Sequence, residues 1–179
     1  PSLSCPAFVL SIFRDITERK LGELALAAAQ RRSSVLAELG RELGEATTPK
    51  AAAIHILEAS QQLLRWDSGW LHLSDETQQN KVDLVNFDLI DGEIREVFPD
   101  MSGVQTPTRM ARRVKEEGPQ LLLRDAESDA NADVPTYGSD RRSLSLMFVP
   151  IQLGGRFIGI LSIQSYQHRA YDQADLELL

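Results

Sequence analysis

The spacing of hydrophobic positions changes several times along the chain, and each change marks an element. The longest apolar stretch runs from 143 to 165, SLSLMFVPIQLGGRFIGILSIQS. Leu144 to Ile151 is almost wholly apolar and predicts a strand. Gly154-Gly155 predicts a tight turn, because glycine reaches positive φ without steric cost. Arg156 to Ser165, β-branched and apolar with Gly159 inside it, predicts the returning strand. Apolar residues at both parities mean that both faces are covered, so this hairpin belongs at the centre of a sheet.

Upstream, Ala7 to Arg14 (AFVLSIFR) reads as a short apolar strand. Asp15, with Glu18 three residues on, predicts a helix start of the capping-box kind. No proline follows until Pro49. Leu21, Leu24, Ala28 and Val35 lie near heptad spacing, and Leu36, Leu39, Leu43 and Ala46 continue in steps of three and four. Arg31-Arg32-Ser33-Ser34 interrupts the seam, as a stutter or as a break. A continuous helix of about 27 residues is roughly 40 Å long. That exceeds the need of one small domain and predicts a connector that pairs with a second copy rather than a simple surface helix.

Thr48-Pro49 predicts a second helix, with Thr48 as cap and Pro49 in the first turn. Ile54, Leu57, Gln61 and Leu64 give it one mostly apolar stripe, and it ends near Arg65. Gly69 to Ser74 predicts a half-buried strand, and Val82 to Ile90 a second. Asp91-Gly92 predicts a type I′ turn into a third strand, Glu93 to Phe98. Thr106-Pro107 opens a short helix with Met110, Ala111 and Val114 inward, closed by Gly118 in the left-handed region. Gln120 to Leu123 is a further strand. The irregular stretch 124–142 is longer than an ordinary connection and predicts a lid or pocket wall. Tyr171 to Leu179 begins a last helix, capped by Asp172.

Composition narrows the function. The chain has 179 residues, 42% hydrophobic and 25% charged, which suits one soluble domain plus an appendage. A net charge of -7 offers no basic excess for phosphates, so nucleic acid and anionic lipid are not expected partners. The single cysteine, Cys5, excludes an internal disulfide and predicts a reducing cytoplasm. No apolar run reaches membrane-spanning length. Beginning at Pro1 and stopping inside a helical pattern, the sequence reads as a piece of a longer protein.

The order helix, helix, strand, hairpin, helix, strand, long loop, two core strands, helix resembles the GAF domain, a small ligand-sensing module. The specific residues are Arg142-Ser143-Leu144, Val149-Pro150-Ile151, Gly155-x-Phe157-Ile158-Gly159-Ile160-Leu161 and Tyr171-x-x-x-Asp175-Leu176. The resemblance implies an α+β fold: a central antiparallel sheet of five to six strands, helices on one face, a short helix and loops over the other. Arg14-Asp15-Ile16-Thr17-Glu18-Arg19-Lys20 is similar to the sequence that ends PAS domains. Three parts follow: 1–17 as the last PAS strand, 18–46 as a signalling helix, and 47–179 as a GAF core whose final helix is truncated. Together they imply a fragment of a bacterial sensor, a sensor histidine kinase being the first expectation and a cyclic-di-nucleotide synthase or hydrolase the alternative. A homodimer through 18–46 and the C-terminal helix, and no catalysis by the fragment itself, are implied likewise.

Side-chain chemistry supports that reading. His55 and His168 read as surface residues, and none of the three histidines has a phospho-acceptor setting. With no Cys–His cluster, no zinc site is expected. Cys5 precedes the GAF region, so neither a covalent bilin nor the thiol catalysis of sulfoxide-reducing family members is expected, and the motif of cyclic-GMP-binding relatives is missing. The acid pairs read as solvated surface, and Gly154-Gly155 joins strand to strand rather than cradling phosphate. The ligand, if there is one, is not identified; a ligand-free dimerisation spacer is the rival reading. By fold position, the resemblance places a pocket at Trp70, His72, Phe87, Met110, Tyr137, Met147 or Phe148, Ile160, Ser162 and Gln164. Ser162 and Gln164 are its polar members. A one-residue slip exchanges the two faces of every strand, so the inward parity stays open at this point.

Overall fold

The computed structural model describes residues 7–75, 80–97, 106–125 and 141–179, with side chains from 18 onward. The elements are α1 (Ala7–Glu45), α2 (Pro49–Leu64), β1 (Ser68–Ser74), β2 (Lys81–Ile90), β3 (Glu93–Glu96), α3 (Arg109–Glu117), β4 (Gln120–Leu123), β5 (Ser145–Leu153), β6 (Arg156–Ser165) and α4 (Gln173–Leu178). Six strands form one sheet in the order β3-β2-β1-β6-β5-β4. Every neighbouring pair is antiparallel.

The two turns read from sequence have the backbone they require. Asp91 and Gly92 take φ of 52° and 83°, and Gly154 and Gly155 take 57° and 78°. Positive φ at both central residues matches the twist of the strands they join. The Thr48 side chain accepts the Ala51 N–H at 3.1 Å, one turn into α2. In α3 the cap is Thr108 rather than Thr106: its hydroxyl accepts the Ala111 N–H at 3.2 Å. Gly118 ends α3 at φ 88°, ψ -157°, outside the left-handed helical region. Asp172 caps α4 with a capping box to Asp175.

The stretch Ala7 to Arg14 is helix, not strand, and Asp15 lies inside α1 rather than at its start. A strand needs a partner for its N–H and C=O groups; without one, an apolar segment satisfies them locally as helix. The whole of α1 is one helix of 39 residues, about 58 Å long. It crosses Arg31–Ser34 unbroken, with all four residues exposed and Arg31 reaching across to α2. The Arg31 guanidinium donates to the Gln62 carbonyl at 3.1 Å, near the C-terminal end of α2, where helix carbonyls lack partners. Val35, Leu39, Glu42 and Ala46 follow on that side and are half-buried, while Leu36 and Leu43 point outward. His55, expected in solvent, lies between Glu42 and Glu58 at 3.3 and 3.6 Å. His168 is exposed, with Nδ1 3.1 Å from the Arg124 carbonyl.

The sheet separates two apolar clusters. On the α2/α4 side, Ala53, Leu57, Trp66, Leu71, Val85, Met147, Leu161, Ile163, Tyr171 and Leu176 are buried together. On the α3 side, Ala111, Val114, Leu146, Phe148 and Ile160 form the second. At the ends of β1, β2 and β6, polar groups lock the strands. Asp67 accepts from the Ser165 hydroxyl and the Tyr166 N–H, each at 2.7 Å, and the Tyr166 hydroxyl donates to the fully buried Asp88.

Tyr171 is different: its hydroxyl is buried with no hydrogen-bond partner among the described residues. Burial, with Asp67 and Asp175 nearby, raises its pKa. Removing an unsatisfied buried hydroxyl relieves a desolvation cost without losing a bond. Tyr171→Phe is therefore expected to match the wild type or gain about 1 kcal/mol in urea unfolding. A loss of that size would show that the hydroxyl is bonded.

Candidate functional site

The face of the sheet under α3 carries most of the polar residues that the strands bury. Pairing fixes which they are. Trp70 lies opposite Asn86 and Ser162, and His72 lies opposite Asp83 and Ile160. Phe148 on β5 pairs with Ser162. Trp70, His72, Phe148 and Ile160 thus share one face with Ser162 and Gln164, so the even-numbered positions of this part of β5 and β6 are turned to α3, joined beyond the register shift at Ile151/Gln152 by Phe157. Over them sit Thr108, Met110 and Ala111 at the start of α3.

A cavity lies between these layers, lined by Trp70, His72, Lys81, Asp83, Asn86, Thr108, Met110, Ala111, Phe148 and Ile160. Its free volume is about 30 Å³, room for one or two waters. Of the residues singled out from sequence, Trp70, His72, Met110, Phe148 and Ile160 border it. Ser162 and Gln164 are on the same face but sealed: they are 0% and 7% exposed, and the Gln164 amide donates to the Ser162 hydroxyl at 3.3 Å. Phe87 is on the opposite face, packed with the α2-side cluster and 6.3 Å from the Trp66 ring. Tyr137 and the stretch 126–140 lie outside the described residues.

Sequence reasoning passed over Lys81, Asp83 and Asn86. A register shift between Leu71 and His72 leaves Leu84 without a partner, since Leu71 faces Val85 and His72 faces Asp83. The inward parity of β2 therefore switches midway, from Lys81 and Asp83 to Asn86 and Asp88. The signal was present as a polar alternation with one skip, K-x-D-x-x-N-x-D.

Electrostatically the cavity is a balanced but incompletely satisfied site. Lys81 is 7% exposed, and burying an ammonium is costly unless it is paired. Asp83 supplies the pair, with oxygens 3.1 and 3.4 Å from Lys81 Nζ. His72 is 3% exposed and stacks on Trp70, ring centres 5.0 Å apart and planes 12° from parallel. Burial lowers the His72 pKa to about 4; the Lys81 charge adds to this and the Asp83 charge opposes it. His72 is thus neutral at pH 7, and its Nδ1 has no hydrogen-bond partner among the described residues. Asn86 is 6% exposed, and its Oδ1 likewise lacks one. Two buried polar atoms without partners, on residues that line one cavity, are uncommon in folded proteins. Chemically the site can donate from Lys81, accept at Asp83 and Asn86, and stack on Trp70. Among the described residues, no group of three or more His, Cys, Asp or Glu is placed to hold a metal ion.

Known proteins bear out the architecture. Residues 46–179 match the family model of the GAF domain. No curated protein matches the chain. Solved structures do. The GAF domain of a phosphoenolpyruvate-protein phosphotransferase from Coxiella burnetii superposes with a TM-score of 0.61 at 17% identity, covering 84% of this chain and 86% of that one. A free methionine-R-sulfoxide reductase from Neisseria meningitidis, in complex with its substrate, gives 0.59 at 18% identity, covering 85% and 83%. Part of a methyl-accepting chemotaxis protein gives 0.57 at 10% identity, covering 80% and 88%. At these identities the likeness is one of fold. With the antiparallel six-stranded sheet, the layers on its two faces and a family match over 46–179, the chain belongs to the GAF domain family.

Proposed function

We propose that this GAF domain is a non-catalytic sensory module of a cytoplasmic signalling protein, binding a small ligand between the sheet and α3. The observation that carries the reading is that two residues lining one cavity, Asn86 and His72, each hold a buried atom without a partner among the described residues, Oδ1 and Nδ1. Leaving such groups unsatisfied costs about 1–3 kcal/mol each, and a ligand that bonds to them recovers this. With room for only one or two waters, the cavity opens by movement of α3. Ligand binding then shifts a population between two packings. That structural neighbours include domains of a phosphotransferase and a chemotaxis protein agrees with a regulatory role.

Output runs through α1. With Val35 and Leu39 turned to α2, the outward side presents Gly22, Leu26, Ala29, Ser33, Leu36, Gly40 and Leu43, in alternating steps of four and three and all exposed. This uninterrupted seam suits pairing with α1 of a second copy. The residues 14–20, similar to the end of a PAS domain, favour a sensor histidine kinase as the parent, with a cyclic-di-nucleotide enzyme as the alternative.

The test is thermal unfolding of the domain across a metabolite library, with sedimentation to measure its mass. A ligand at 100 times its Kd adds about 2.7 kcal/mol, which raises the Tm by about 5–10 °C in a domain of this size. The smallness of the cavity favours one rival, a ligand-free spacer. A dimer that no compound stabilises is the spacer's result, and a monomer at high concentration removes the α1 seam from either account.

A further inference from the structure

We infer that the cleft between α1, α2 and the β2–β3 edge is a separate ligand site, for a small organic ammonium ion with an apolar body. It lies on the face of the sheet opposite the cavity under α3 and does not depend on the reading of that cavity. Its volume is about 510 Å³, within the range of small-molecule sites. Trp66 and Phe87 form its floor, stacked with ring centres 6.3 Å apart. Val35 and Leu39 of α1 and Ile94 of β3 are its apolar walls. The Trp66 indole N–H is engaged by Ser60, so the floor presents ring surface and no donor.

The charged side chains of the cleft are all acidic: Glu38 and Glu42 from α1, and Glu58 from α2. The neighbouring cations do not balance them. Arg41 divides its guanidinium between Glu38 and Glu45 and lies 3.9 Å from Glu42. His55 stands between Glu42 and Glu58. Arg31 is turned to the Gln62 carbonyl, and Lys50 to Glu96. The carboxylates of Glu38, Glu42, Glu45 and Glu58 therefore share one guanidinium and one imidazole, and negative charge is left over beside an aromatic floor. An anion is repelled by this rim. A neutral apolar molecule covers the floor but gives the carboxylates no counter-charge. A metal ion meets the carboxylates but leaves the rings bare. An ammonium on an aryl or alkyl body suits both, since carboxylates and ring faces each attract a cation. Such an ion touches α1 and α2 at once, and so fastens α1 to the domain near the end of α2.

The experiment is calorimetric titration of the wild-type chain with phenethylammonium, beside the neutral N-acetylphenethylamine and the anionic 3-phenylpropanoate. The ammonium is expected to bind about 10-fold or more tightly than either, and to weaken as salt is raised. Glu42→Gln combined with Glu58→Gln is expected to weaken it by about 10-fold, and Ile94→Trp, which fills the cleft, to abolish it. Equal binding of the ammonium and the neutral amide overturns the ligand class. Absence of saturable binding by the ammonium overturns the site. So does binding that Asp83→Asn removes and the double glutamine variant keeps, since the amine then sits under α3. A wild-type dimer that Ile94→Trp converts to monomer overturns it too, because the cleft then holds a second copy of the chain.

Discussion

Gly159→Ala is expected to destabilise the domain by about 3 kcal/mol or more, at the upper end for overpacking a core. A Cβ at this position would lie 2.2 Å from the His72 carbonyl oxygen and 3.0–3.1 Å from atoms of Leu73. The obstructing atom is backbone, in the central β1–β6 pair, where Leu73 is the partner of Gly159. Side-chain rotation cannot relieve it; the strands must separate, and the ladder that holds His72 must distort. Thermal unfolding reads the effect as a fall in Tm of about 6–12 °C for a domain of this size. Gly40→Ala, with nothing within 4 Å of its added carbon, is the matched control; in a helix it should gain up to about 1 kcal/mol. Equal stability of Gly159→Ala and wild type would mean that the two central strands are not this close.

The second large effect is on pH. A histidine whose folded pKa is about 4 rather than 6.5 is neutral in the folded state over a range where the unfolded chain binds a proton. Because the unfolded state binds more protons there, stability rises with pH. The contribution is complete above about 6.5 and is lost progressively as pH falls from 6.5 to about 4. Its full size is about 3 kcal/mol, from the 1.36 kcal/mol that each pKa unit represents. The main cause is burial of the imidazole; Lys81 reinforces it and Asp83 partly offsets it. His72→Gln removes the titration. Urea unfolding at pH 7 and pH 4 should show a fall in the wild type that exceeds the variant's by up to that amount. Carboxylates contribute to both proteins, so the difference between them is the quantity to read. Parallel losses in the two would mean that His72 is solvated.

Much of the fold was legible because its signals are local. Thr48-Pro49, Asp91-Gly92, Gly154-Gly155 and Asp172 act within a few residues, and each marks the boundary or turn expected of it. The apolar run through Met147, Phe148, Ile160 and Leu161 announced a central hairpin for the same reason. Ala7 to Arg14 misled because strand formation depends on a partner elsewhere, and its composition suits either state. The cap of α3 moved from Thr106 to Thr108 because two threonines flank Pro107, and which one caps depends on where the helix docks. At the site, Trp70 and Phe148 could be placed from the fold pattern. Phe87 could not, because the unpaired Leu84 switches the parity of β2, and that shift belongs to the pairing of two strands. The same shift hid Lys81, Asp83 and Asn86, the charged and amide members of the cavity lining.

The chain's two tryptophans lie on opposite sides of the sheet. Trp66 packs with the α2 layer, its indole N–H donating to Ser60 at 2.9 Å, and Trp70 stacks on His72 above the cavity. Each is therefore an optical reporter of one layer alone. Keeping one indole and replacing the other by phenylalanine yields two emission signals from a single fold. A ligand entering under α3 should alter the Trp70 spectrum directly. The Trp66 spectrum should change only if the motion crosses the sheet, so a comparison of the two traces tests whether a change under α3 reaches the α2 layer.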